Sequence, residues 1–119
     1  MPQDLQVGDF LMFQLESGFG LLRFLGNTER DGEKIWHLAA YNDLFLDTDS
    51  VDRAIVNPEK LSVNQPHLAL TTRAFESTQV AGMGNLPLVD NDLEALNAWA
   101  ADEDAEVSDR SVRLLLGLR

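Results

Sequence analysis

The sequence predicts an α+β fold: a small, strongly curved antiparallel sheet from the N-terminal two-thirds, with one helix from the C-terminal half packed on it. Three observations predict this. Apolar runs at 9–15, 19–25 and 34–41 are joined by short, glycine-containing turns. Residues 90–101 repeat apolar side chains at helical spacing. The length, 119 residues, suits one domain spanning 1–119, since domains cluster at about 100–150 residues.

The first run, Asp9-Phe10-Leu11-Met12-Phe13-Gln14-Leu15, is apolar in both alternating sets, so both faces of that strand should be covered. Glu16-Ser17-Gly18 is a turn, and Phe19 to Leu25 returns as the second strand of an antiparallel hairpin. Gly20 inside it signals a bulge or a close approach. Gly18 and Gly20 are expected to serve the backbone rather than a ligand. Asp31-Gly32 closes the next turn before Lys34 to Tyr41. Three such strands form a meander, the smallest sheet with independent stability.

The middle reads less clearly. Residues 50–55 suit one helical turn or a short strand, and Asn57-Pro58 breaks either. Pro66 precedes a strand-like His67-Leu68-Ala69-Leu70-Thr71. Residues 81–87 hold two glycines, Asn85 and Pro87 and read as a loop without a regular element. In 90–101, Val89, Leu93, Leu96 and Ala100 share a face that Trp99 widens. Asp90 or Asn91 is the expected cap, and Asn91 with Glu94 resembles a capping box. Trp36 and Trp99 are expected in the core. Residues 108–116 suit a short helix capped by Ser108 or a last strand, with Gly117 ending either.

Composition excludes several chemistries. There is no cysteine, which removes disulfides, thiolate metal sites and thiol nucleophiles. The start, Met1-Pro2-Gln3-Asp4-Leu5, lacks the basic segment and apolar run of a secretory signal. No stretch approaches the about 20 apolar residues of a membrane span. The expectation is a cytoplasmic protein that does not engage membranes. Nine basic residues stand against twenty acidic ones, a formal charge of −11. Phosphate-binding proteins need clustered Lys and Arg, so nucleic acid is not an expected partner. A basic protein is.

The acids are unevenly spread. Residues 90–109 contain eight acids and no base. Six of them, Asp92, Glu94, Asp102, Glu103, Asp104 and Glu106, are the candidate partner-binding residues, centred on Asp102, Glu103 and Asp104. Long-range attraction from such a stretch would steer a basic partner. A solvated helix rim and polar linker is the plainer reading of the same residues.

Catalytic signals are absent. His37 and His67 have no ligand-spaced carboxylate or second histidine nearby in sequence, and each reads as a strand-face histidine bonded locally. Asp47-Thr48-Asp49-Ser50-Val51-Asp52 begins like a calcium loop, but Val51 and Asp52 stand where the loop needs Asp or Asn and then Gly, and position twelve is Pro58. Gly82-Met83-Gly84-Asn85-Leu86-Pro87 lacks the third glycine of a dinucleotide motif. No metal and no cofactor is expected. The alternative function is a small hydrolase-type domain using His37 or His67 with a nearby Asp.

Val7-Gly8-Asp9-Phe10, followed by Leu15-Glu16-Ser17-Gly18-Phe19-Gly20-Leu21-Leu22-Arg23-Phe24-Leu25-Gly26, resembles the start of SH3-like or Tudor-like β-barrels. It is also similar to the N-terminal pattern of predicted immunity proteins from bacterial polymorphic toxin systems. The resemblance covers about the first quarter of the chain, with a weaker echo in 87–93 and Trp99. It implies a protein that binds and neutralises a toxin without catalytic residues of its own. It carries no binding residue onto this sequence.

Overall fold

A computed structural model describes residues 5–118. Met1 to Asp4, whose polarity entered the leader argument, lie outside the described residues, as does Arg119. Five strands form one open antiparallel sheet: β1 (Asp9–Leu15), β2 (Gly18–Arg30), β3 (Glu33–Tyr41), β4 (Val63–Thr71) and β5 (Val80–Asn85). Their spatial order is β4-β3-β2-β1-β5. The expected meander is its centre. Leu15 faces Gly18 across a two-residue turn, and Phe13 faces Gly20. Gly20 matters because the Phe13 ring lies over it, where any Cβ would collide. β2 outruns the expected strand by five residues and shifts register between Phe24 and Gly26. That bulge bends a long strand and curves the sheet.

Four helices, α1 (Thr48–Ile55), α2 (Thr72–Glu76), α3 (Asp90–Ala100) and α4 (Val112–Leu116), and a 3₁₀ turn at Pro58–Lys60 complete the chain. The expectation of a single helix therefore undercounts. The short helices are cap-driven: Asp47, Thr71 and Ser111 each accept a backbone N–H three residues on, satisfying a donor that the helix leaves orphaned. The tail resolves as helix, capped by Ser111 rather than Ser108, and Gly117 ends it in the left-handed conformation at φ 68°.

Two further expectations are corrected. Residues 81–85 are not a loop, because β5 pairs antiparallel with β1 through Asn85, while 86 and 87 are irregular as expected. Its glycines are tolerable at an edge, and Gly84 makes room for Ile55 of α1 against it. The cap of α3 is neither Asp90 nor Asn91. Val89 occupies that position, and the Asp92 carboxylate reaches back to accept its N–H at 2.8 Å. The closing half of a capping box is thus made by Asp92, not Glu94.

Alternation along the strands gives two covered faces. One buries Leu11, Phe13, Leu22, Phe24, Trp36, Leu38 and Leu70 under Ala74 and Phe75 of α2 and Val112 of α4. The other splits. At one end Phe10, Leu21 and Tyr41 pack under Val51 and Ile55 of α1. At the other end α3 and the segment after it lie over Arg30, His37 and His67. No helix is long and apolar enough to cross a membrane among the described residues.

Candidate functional site

The gap between these two covers on the second face is a groove of about 490 Å³. Its walls come from the 3₁₀ turn and the start of β4 on one side (Pro58, Glu59, Leu61, Val63) and from residues 86–92 on the other. Arg23 and Tyr41 form the floor. A smaller annex of about 90 Å³ extends it over Leu25, Ala39 and Pro66. Val63, Leu86 and Val89 are exposed branched side chains on this rim, 51%, 36% and 61% accessible. Branched apolar side chains converging on one concavity are an uncommon feature of a surface, whereas scattered ones need no explanation.

Arg23 is the residue that sequence reasoning missed. It sits among Leu21, Leu22, Phe24 and Leu25 and is 5% exposed. Its guanidinium donates to the Leu86 carbonyl at 2.7 Å and to those of Pro87 and Gly8 at longer range. It also stacks 4.6 Å from the Phe10 ring centroid and faces the Asp92 carboxylate at 3.6 Å. A lone charge inside a two-faced apolar strand was the available signal, since such a group must be paired to be buried. Arg23 thereby ties 86–87 and the start of α3 to the sheet. Burial raises the Tyr41 pKa above its ordinary value, although the neighbouring Arg23 acts against that rise.

Beyond the groove, β2, β3 and β4 bring Thr28, His37 and His67 together. His37 is fully buried. Its Nδ1 is 2.8 Å from His67 Nε2, and its Nε2 is 2.8 Å from Thr28 Oγ1. The two rings stack at 5.0 Å, and Trp99 of α3 meets His37 edge-on at 4.8 Å. Arg30 lies 4.1 Å from the Trp99 ring centroid and donates to the Ala105 carbonyl at 2.9 Å. Trp99 Nε1–H donates to the Glu106 carbonyl at 2.8 Å. Burial, the neighbouring His67 and Arg30 together lower the His37 pKa to about 4. Burial lowers that of His67. The reading of each histidine as separately bonded is therefore incomplete: they bond to each other, although 30 residues separate them. Among the described residues no carboxylate hydrogen-bonds to either imidazole.

The six acids divide. Asp92 is drawn inward by Arg23 and by its capping role. Asp102 accepts the Asp104 N–H and closes a turn. Glu94, Glu103, Asp104 and Glu106 are exposed. The segment without a base in sequence has bases in space: Arg23 at Asp92, Arg30 at the carbonyls of Asp102 and Ala105, and Arg73 paired with Asp109. Another depression, of about 510 Å³ around Arg73 and Asp109, is lined by polar residues with balanced charge. Among the described residues no cluster of His, Asp and Glu is arranged to hold a metal ion. Trp99 is half-buried rather than core, while Trp36, 7% exposed, is core as expected. Compared with protein families, curated proteins and solved structures, the chain matches none.

Proposed function

We propose that this protein is a non-enzymatic binding module, of the inhibitor or immunity kind, that docks a basic protein on the surface built by α3, the acidic segment after it and the adjoining groove. The observation that carries this reading is the groove's rim. Exposed Val63, Leu86 and Val89 converge there at the start of α3, whose far end leads into the exposed acids of 102–106. Apolar anchor sites next to a charged rim are what protein interfaces use, the first for affinity and the second for encounter rate. A cytoplasmic setting belongs to the same proposal.

The test is association with a partner captured from the source cells. Reversing Asp102, Glu103 and Asp104 to Lys should slow association at least about tenfold at low salt and remove most of its salt dependence. Thermal stability should change by no more than about 1 kcal/mol, because the three side chains are exposed and Asp102 alone gives up a hydrogen bond, from the Asp104 N–H. An unchanged on-rate with unchanged salt dependence would reduce the acidic segment to a solubility feature.

A further inference from the structure

We propose that the groove is a socket for one long cationic side chain, arginine or lysine, presented by an extended segment of the partner. This rests on the docking reading above and adds the chemistry of the anchor. Three features of the groove specify it.

The walls suit an aliphatic stem. Val63, Leu86 and Val89 present branched apolar surface to water, which the methylenes of a long basic side chain cover while its head stays polar. The charge suits a cationic head. Glu59 stands on one wall and Asp92 on the other, whereas Arg23 directs its donors to three backbone carbonyls and faces Asp92. Arg23 and Asp92 offset each other, and Asp92 also accepts the Val89 N–H, so the charge left over in the groove is that of the exposed Glu59 carboxylate. A planar guanidinium can address a carboxylate through two parallel N–H bonds.

The third feature is size. Tyr41, 7% exposed, lines both the groove and its annex beside Arg23. The volume, about 490 Å³, is within the range of ligand sites and leaves room for the main chain that flanks the anchoring residue.

The experiment titrates N-acetylarginine amide into the full chain at low salt and follows the methyl resonances of Val63, Leu86 and Val89. They should shift together and saturate with a Kd on the order of 1 mM, as expected for a ligand of this size. N-acetylnorleucine amide, with an uncharged stem, should bind several-fold more weakly. Glu59→Gln, in an exposed turn, should weaken the arginine probe by about threefold, the effect of one exposed ion pair. Equal binding of the norleucine probe would make the groove a plain apolar site and overturn the proposal. Tighter binding of N-acetylglutamate amide would make it an anion site at Arg23 and overturn it equally. So would shifts confined to 102–106, or no shift at about 10 mM. If the socket fails while the charge-reversed variant still loses its partner, docking stands without this anchor. If the socket fills and charge reversal changes nothing, the acidic segment falls and the socket stands.

Discussion

Trp36 and Trp99 sit on opposite faces of the same sheet and are held by different chemistry. Trp36 stacks on Phe75 at 4.4 Å and 11°, tilts against Phe24 at 5.9 Å, and donates to Thr72 Oγ1. Trp99 covers a pair of histidines, carries an arginine on its ring and donates to a loop carbonyl. The helices follow suit. α2 and α4, five residues each, bury Ala74, Phe75 and Val112, while the eleven-residue α3 has no buried residue. Helix length is thus a poor guide to which helix holds the fold. The residues that the α2–α4 cover buries are apolar and do not titrate. The α3 cover is polar, titratable and joined to the proposed docking surface.

Breaking the apolar cover should have the largest effect. Phe75→Ala removes a ring that is 2% exposed and stacked on Trp36. It should cost about 3–5 kcal/mol in urea unfolding. A loss under about 1 kcal/mol would show that α2 is not a principal cover of that face.

Acid should weaken the other cover. The folded His37 pKa is lowered to about 4 from 6.5, so between those values the unfolded chain takes up a proton that the folded chain refuses. The stabilisation is complete above about pH 6.5 and is lost as pH falls toward 4, roughly 3 kcal/mol for this group. His67, lowered in the same direction, adds with the same sign. A pair of neutral rings can share one N–H between Nδ1 and Nε2, whereas two imidazolium rings would set N–H against N–H. Unfolding midpoints at pH 7 and pH 4.5 should therefore differ more for the wild type than for a His37→Gln, His67→Gln variant. Equal pH dependence in both would remove the histidines from the account.

A smaller effect sharpens the first face. Gly20→Ala places a Cβ against the Phe13 ring, and the forced repacking should cost about 1–3 kcal/mol. A neutral result in thermal unfolding would mean that the ring moves aside freely and that the hairpin does not depend on this glycine.

The legible parts of the fold were those whose signal is local. The hairpin and β3 announce themselves through apolar runs between turn residues, and the 90–101 helix through its period. β5 does not, because Val80-Ala81-Gly82-Met83-Gly84-Asn85 has neither alternation nor β-branched density and is a strand by virtue of pairing with β1. The cap of α3 was misplaced because Val89 has no side-chain acceptor and Asp92 serves from inside the helix. The site was less legible still. Pairing His37 with His67 requires the β3–β4 register, in which His37 faces Ala69. The acids of 90–109 look uncompensated along the chain because Arg23, Arg30 and Arg73 reach them only through the fold.

The central claim is that the two covers are held independently, one by apolar packing and one by a titratable polar cluster. The two indole N–H resonances report on them separately, since Trp36 bonds Thr72 in the first cover and Trp99 bonds Glu106 in the second. Following both by NMR as pH is lowered from 7 toward about 4 is the most direct test. The account predicts that the Trp99 signal shifts and exchanges with water over the range in which the histidines become charged, while the Trp36 signal holds its position and protection. Loss of both signals in one step, or a Trp99 signal as steady as that of Trp36, would contradict it.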